Sequence, residues 1–194
     1  MDPAEREYYH KQIVEAKNKF YDNNIKKTVF KNKQKLECTQ KVSQDFDIKK
    51  MMECTVFIVP NKNVIYYNYL IFKLYGNESN QPILYRYFKG LVETLLSQYE
   101  TFEVHVNLKS FSISACRRYY SMITSSFDDN TLFTEKLSRL VIYNTPSIID
   151  QITTILYATV KDVVPKTVYY YKESEAKIDE LFDIRQQQQQ NTTK

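Results

Sequence analysis

Glycine is almost missing from this chain, which contains only Gly76 and Gly90 among 194 residues. The sequence pattern puts Gly76 in a loop and Gly90 inside a helix, so neither stands where a strand turns into a helix. Loops that hold dinucleotides or nucleoside triphosphates need glycine at that corner, because the backbone must approach the phosphates closely. Neither GxGxxG nor GxxxxGK[ST] occurs. The sequence therefore excludes these two nucleotide-binding classes.

Catalytic and metal-binding motifs are also absent. No GxSxG nucleophile elbow occurs, and no acid is placed to orient His105 toward the serines that follow it. His105 lies in a predicted strand, so a packed or hydrogen-bonded histidine is favoured over a ligand. The three cysteines, Cys38, Cys54 and Cys116, form no CxxC pair and indicate reduced thiols. We expect a protein that is not an enzyme and holds no metal and no cofactor.

Long hydrophobic runs and targeting signals are missing too. No stretch reaches the roughly 18 apolar residues that a membrane-spanning helix requires. The first residues, MDPAEREYYHKQ, are acidic and polar, unlike a secretory signal. These features predict a cytoplasmic protein.

A lysine-rich segment follows the first predicted helix, with eight lysines between Lys26 and Lys50. Two interpretations stay open. The segment is either a solvated, partly disordered connector, which we favour, or a basic arm at an anionic membrane surface. The arm would present Lys26, Lys27, Lys31, Lys33 and Lys35. Nucleic acid is an unlikely partner, because too few aromatic residues accompany the lysines.

The remaining patterns alternate between helix and strand. Asp2-Pro3 predicts the start of a helix that runs to about Tyr21. Residues 54–59 and 64–72 predict an antiparallel hairpin, and strands are predicted at residues 102–108, 137–143 and 166–171. Helices are predicted between these strands, the clearest at residues 83–99, which carry an i, i+3, i+4 apolar stripe. This order predicts an α/β fold with a mixed, mostly parallel sheet flanked by helices. We expect an N-terminal helix and connector (1–52), an α/β domain (53–184) and a disordered glutamine-rich tail (185–194).

Two strings carry a resemblance to a known family. LKSFSIS (residues 108–114) and EKLSRLVIYNTP (residues 135–146), followed by a helix and the strand KTVYYY, resemble the motifs of the CRAL-TRIO lipid-binding family. The resemblance covers residues 54–182, and Ser110 stands where the family usually has glycine. It implies a CRAL-TRIO-like sheet whose corner is structural, with hydroxyls that cap the next helix.

Within that family the chain is most similar to the shortened BCH branch, through FIVPN, VHVNL and KTVYYYKESEAKIDEL. This likeness implies a non-catalytic scaffold in small GTPase signalling, which binds small GTPases, their regulators or another copy of itself at the cytosolic side of membranes. Lys109, Arg117 and Arg118 are then candidate contacts for an anion or an acidic partner. The many tyrosines leave a homodimer open.

The alternative implied by the same resemblance is a lipid-binding or lipid-transfer protein that holds a phospholipid or another hydrophobic ligand in a cleft. Five residues are candidates for the lining of that cleft: Tyr119, Ile123, Ile152, Leu156 and Tyr157.

Overall fold

The computed structural model describes residues 1–24, 31–128 and 131–182. Its helices are α1 (Pro3–Asp22), α2 (Lys31–Asp45), α3 (Ile48–Thr55), α4 (Tyr69–Phe72), α5 (Gln81–Leu96), α6 (Ile113–Arg118), α7 (Tyr120–Asp128), α8 (Thr131–Lys136), α9 (Ile149–Val160) and α10 (Ser174–Leu181). Its strands are β1 (Val56–Ile58), β2 (Val64–Asn68), β3 (Phe102–Asn107), β4 (Leu137–Tyr143) and β5 (Thr167–Tyr169).

The first helix begins where the sequence predicts it. The carboxylate of Asp2 accepts a hydrogen bond from the backbone N–H of Glu5 at 2.8 Å and so caps α1. The helix packs against α2 and α3, with Ile13 fully buried in the interface cluster.

The prediction of a solvated connector is wrong for the part of the lysine-rich segment that the structure describes. That part forms α2 and α3, which bury Cys38, Val42 and Met51 against α1 and α4. Cys38 and Val42 are one helical turn apart, so the few apolar residues share one face while most of the lysines face solvent. The carboxylate of Asp47 accepts hydrogen bonds from the next two lysine N–H groups and starts α3. The expected domain boundary at residues 52 and 53 therefore falls inside a helix.

The sheet has the order β1-β2-β3-β4-β5, with β1 antiparallel to β2 and all other neighbours parallel. The expected hairpin, the mostly parallel sheet and its flanking helices are confirmed. The second hairpin strand is shorter than predicted. Its last residue, Asn68, accepts a hydrogen bond from the N–H of Leu70 through its side chain and starts α4.

The parallel strands are neighbours in both sequence and space, and this decides where the helices lie. Successive right-handed crossovers in one direction put all their helices on the same face of the sheet. That face is covered by α5, by α6 to α8 and by α9. The opposite face is covered by α10, through Ile178 and Leu181 packed on Val64, Tyr66 and Val141.

The corner between β3 and α6 is built as the sequence predicts. The hydroxyl of Ser112 accepts a hydrogen bond from the N–H of Ala115 at 3.2 Å and caps α6. Ser110 has a φ of 66°, in the left-handed region that favours glycine, and its hydroxyl accepts a hydrogen bond from the Lys73 ammonium at 2.7 Å.

The helix after this corner is broken at Tyr119, and the break changes which side chains are buried. A continuous helix would put Tyr120 on the same face as Cys116, but Tyr120 is 43% exposed while Tyr119 is buried. Tyr119 has a non-helical backbone conformation between α6 and α7. The buried position therefore moves by one residue, from 120 to 119. The short helix α8 was not predicted, and its Phe133 packs against Phe102.

Candidate functional site

The helix-covered face of the sheet forms the floor of a large cavity. Strand register aligns Val104, Leu140 and Thr167 in one row across β3, β4 and β5. A second row, two residues further along each strand, consists of Tyr67, Val106, Ile142 and Tyr169. All of these residues line the cavity. Successive strand residues point to opposite faces, so the two rows belong to the same side of the sheet.

Helices form the roof of this central cavity. Helix α5 packs on β1, β2 and β3, whereas α9 packs on α6 and α7, and the cavity lies between these two groups. Its volume is about 350 Å³. The helices contribute mainly apolar side chains, among them Leu84, Phe88, Met122, Ile149 and Val160, and the corner before α6 adds Phe111.

The lining is strongly apolar. No charged side chain contributes to the wall that the described residues form. The lining residues that carry a polar group are Gln81, Thr153, Thr167 and several tyrosines. A wall of this kind excludes ions and suits a hydrocarbon or an aromatic ligand.

Residues in the middle of the sheet show that side chains of the protein do not fill this space. Val106 and Leu140 lie on central strands yet are only half-buried, since part of their surface faces the cavity. Tyr67 is in the same situation, and burial raises the pKa of its hydroxyl well above the usual value. At about 24 cal/mol per Å³, an entirely empty cavity of this size would cost at most about 8 kcal/mol. That upper bound is comparable to the whole stability of a typical domain, about 5–15 kcal/mol, and water that enters the half-open cavity lowers the real cost.

Four of the five residues expected in a ligand cleft line the central cavity: Tyr119, Ile123, Ile152 and Leu156. The prediction that Tyr157 lines the cleft is wrong, because its side chain is 60% exposed and lies outside the cavity. Each residue of an α-helix is rotated by roughly 100° from the one before it, so the neighbour of Leu156 points away from the sheet.

The cationic residues singled out from the sequence lie in three different environments. Lys109 pairs with Glu175, with 2.8 Å between its Nζ and Oε1, and both side chains are exposed. Arg117 is exposed on α6. Arg118 is half-buried, and its Nη2 donates a hydrogen bond to Asn32 Oδ1 at 2.6 Å.

Two polar atoms on neighbouring residues make no hydrogen bond of good geometry within the described part of the chain. They are Arg118 Nε and the hydroxyl of Tyr119, and both are buried. The guanidinium carbon lies 5.5 Å from the centre of the Tyr119 ring. Burial raises the pKa of Tyr119, while hydrogen-bond contact with Arg118 and its positive charge oppose the rise, so the two residues are polar partners of each other. The sequence gives no sign of this arrangement, because it arises from the break between α6 and α7.

The predicted basic arm is partly described. Lys31, Lys33 and Lys35 are exposed on α2, while Lys26 and Lys27 lie outside the described residues. Burial and the nearby Arg118 and Lys31 lower the pKa of Lys35. An anionic membrane surface as partner of these lysines stays a prediction.

A smaller polar cleft of about 240 Å³ lies on the opposite face of the sheet. At its base His105 Nδ1 is 2.8 Å from the Tyr143 hydroxyl, and His105 Nε2 is 3.0 Å from Glu103 Oε2. Burial lowers the pKa of His105, although the hydrogen bond to Glu103 opposes this shift. His105 is therefore packed and hydrogen-bonded, as predicted, and both ring nitrogens are engaged within the protein.

Comparisons with known proteins and searches for common site types give no further assignment. No protein-family model, curated protein or solved structure matches this chain. Within residues 1–24, 31–128 and 131–182, no three His, Cys, Asp or Glu side chains are grouped so that they could hold a metal ion. In the same ranges, no helix combines the length and apolar character needed to cross a bilayer.

Proposed function

We propose that this protein is a non-catalytic carrier or sensor that binds a hydrophobic ligand in the central cavity. The observation that carries the proposal is the half-buried apolar surface of Val106 and Leu140 in the middle of the sheet. Core side chains normally pack at the density of organic crystals, so unfilled apolar space of this size calls for an occupant.

The dimensions of the cavity limit the size of that occupant. A cavity of about 150 Å³ lined by Leu, Ile and Phe accommodates benzene, so about 350 Å³ accommodates roughly twice that volume. A single hydrocarbon chain or a compact ring system meets this limit better than a lipid with two long chains. The volume also falls at the lower end of the range of about 300–1,000 Å³ that is usual for small-molecule sites.

The resemblance to the CRAL-TRIO family supports the same proposal. The helix and strand order is compatible with it, and Ser110 has a positive φ at the position where that family usually has glycine. Hydrophobic ligands are the best-known ligands of the family that the sequence resembles.

Neighbouring threonines on α9 allow a direct test. Thr153 is half-buried and lines the cavity, while Thr154 is exposed and does not. N-phenyl-1-naphthylamine, a neutral fluorescent probe, should bind to delipidated protein and gain fluorescence. Thr153→Trp should weaken this binding about tenfold or more by filling the cavity, whereas Thr154→Trp should leave it unchanged. Absence of probe binding to the wild-type protein, or equal binding by both variants, would refute the proposal.

A protein-interaction module of BCH type is the second candidate. It is favoured by the exposed Arg117 on α6 and by Tyr120 and Tyr157 exposed on α7 and α9, since arginine and tyrosine are enriched at protein interfaces. Arg117→Glu should weaken the capture of a small GTPase with an acidic surface, with Lys161→Glu, an exposed residue beyond α9, as the control. Equal capture by both variants would remove Arg117 from the interface.

Association with anionic membranes through α2 would place either function at the cytosolic side of a bilayer. Each basic residue near such a surface contributes about 1 kcal/mol, so Lys31 and Lys33 together would give a weak, salt-sensitive attraction. Flotation with phosphatidylserine vesicles should decrease when both lysines are changed to glutamate. Flotation that does not change would contradict this part of the proposal.

A further inference from the structure

Basic side chains from four separate segments meet on one side of the N-terminal helices. Lys31 and Lys35 are one turn apart on α2, so they share a face of that helix, with about 5–6 Å between their Cβ atoms. Asn32 lies between them in sequence, and its side-chain oxygen accepts a hydrogen bond from Arg118 Nη2 at 2.6 Å. This hydrogen bond brings the guanidinium at the end of α6 to the two lysines of α2.

Two further lysines approach the same surface. Lys73 follows α4, and its Nζ donates a hydrogen bond to the hydroxyl of Ser110 at 2.7 Å, at the corner that leads into α6. Burial and the nearby Lys17 and Lys35 lower the pKa of Lys73. The pKa of Lys35 is lowered in the same way, by burial and by the two cations beside it on α2 and α6. We refer to the five residues together as the basic patch: Lys17, Lys31, Lys35, Lys73 and Arg118.

The basic patch has no counter-charge in the part of the chain that the structure describes. None of its members forms an ion pair there, whereas Lys11, Lys41 and Lys177 each pair with a carboxylate on their own helix. Like charges held close together repel each other, and burial strengthens the repulsion by removing water. Lys17 and Lys73 are half-buried. The arrangement therefore favours an anion that binds from outside the chain.

We propose that the basic patch binds a ligand with several phosphate groups, either a soluble polyphosphate or the head group of a phosphorylated lipid. Lysine ammonium groups bind phosphate oxygens as point charges, and cations from several elements suit several phosphates better than a single one. Arg118 supplies charge rather than a direct contact, because its Nε is buried and its Nη2 is bound to Asn32. None of the five residues lines the central cavity, so this site is separate from the proposed hydrophobic one.

Two lysines on α2 allow a matched test. Lys33 and Lys35 are both exposed, but they lie on different sides of the helix, and only Lys35 belongs to the basic patch. Isothermal titration calorimetry with the full-length protein should detect binding of inositol trisphosphate and much weaker binding of inorganic phosphate. Lys35→Gln should weaken the binding of inositol trisphosphate about tenfold or more, whereas Lys33→Gln removes the same charge and should leave it unchanged.

Flotation with two kinds of vesicle distinguishes the sources of the phosphates. One kind contains phosphatidylinositol bisphosphate and the other contains phosphatidylserine at a matched surface charge. If the lipid is the source, the protein should float mainly with the bisphosphate vesicles, and inositol trisphosphate should release it. If a soluble polyphosphate is the source, inositol trisphosphate should bind although neither vesicle does.

The remaining outcomes would overturn the inference. Equal weakening by Lys33→Gln and Lys35→Gln would show an effect of net charge alone, and equal flotation with both vesicles would show a general attraction to negative surfaces. If neither inositol trisphosphate nor the bisphosphate vesicles bind, the basic patch is no phosphate site. Binding of N-phenyl-1-naphthylamine to the cavity does not depend on any of these results, so a failure here can be told from a failure of the proposed function.

Discussion

Replacing Val106 by phenylalanine should stabilise the ligand-free protein, the reverse of what enlarging a core residue usually does. Val106 is on central strand β3, and its side chain faces the central cavity with part of its surface still accessible. Phenylalanine is larger by about four methylene-sized groups, each worth about 0.8 kcal/mol when it is fully buried. Full burial would add about 3 kcal/mol to the free energy of unfolding, and partial burial about 1 kcal/mol.

Val141 provides a matched control on the neighbouring strand. It is 1% exposed and faces the other side of the sheet, where it packs with Tyr66, Tyr143 and Ile178. Val141 borders the polar cleft on that face but has almost no accessible surface, so Val141→Phe would have to displace packed neighbours and should destabilise the protein by about 1–3 kcal/mol. Urea denaturation of delipidated protein measures both values under the same conditions.

The same experiment has a second readout. Phenylalanine at position 106 occupies space that the ligand needs, so Val106→Phe should gain stability without ligand and lose affinity for N-phenyl-1-naphthylamine. If Val106→Phe destabilised the delipidated protein as much as Val141→Phe does, the space beside Val106 would already be filled. The argument for an unfilled cavity would then be wrong.

Three further predictions concern other parts of the fold. Gly76→Ala should destabilise the protein, because the new Cβ would lie 2.5 Å from Phe72 Cζ. Gly90→Ala in helix α5 should stabilise it by about 0.5–1 kcal/mol, because no atom lies within 4 Å of the new Cβ. Thermal denaturation measures both effects. If the two variants changed the melting temperature by similar amounts, the close packing of Phe72 on Gly76 would be contradicted. Because burial lowers the pKa of His105, its contribution to stability is full above about pH 6.5 and is lost as the pH falls through the lowered value. The free energy of unfolding should therefore fall less between about pH 7 and pH 5 in His105→Gln than in the wild-type protein. If both proteins lost the same amount, His105 would not be the source of the pH dependence. Val42→Ala should lower the free energy of unfolding in urea by about 1–3 kcal/mol, since Val42 is 1% exposed in α2. A change close to zero would restore the interpretation of this segment as a loose connector.

The sequence predicted the parts of the fold that depend on local pattern. The acceptor Asp2 before Pro3 predicted the start of α1, and the β-branched and aromatic runs predicted β3 and β4. The lysine-rich segment was mispredicted for a physical reason. Its helices are stabilised by a few buried residues such as Cys38 and Val42, and the numerous lysines hid this weak periodicity.

The candidate site was only partly visible in the sequence. Ile152 and Leu156 follow a helical stripe, so their position above the sheet could be predicted. The cavity itself depends on the distance between α5 and α9, which no local pattern encodes. The buried positions of Arg118 Nε and the Tyr119 hydroxyl depend on the break between α6 and α7, where a continuous helix was expected.

Because all the crossover helices lie on one face, alternate residues of a single strand report on different halves of the molecule. Along β3, Val104 and Val106 contact the cavity, while His105 between them belongs to the polar side that α10 covers. A residue-by-residue scan of this strand with spectroscopic labels should therefore respond to an added hydrophobic ligand in a pattern that repeats every second position. The periodicity of that response would identify the occupied side of the protein without a structure of the complex.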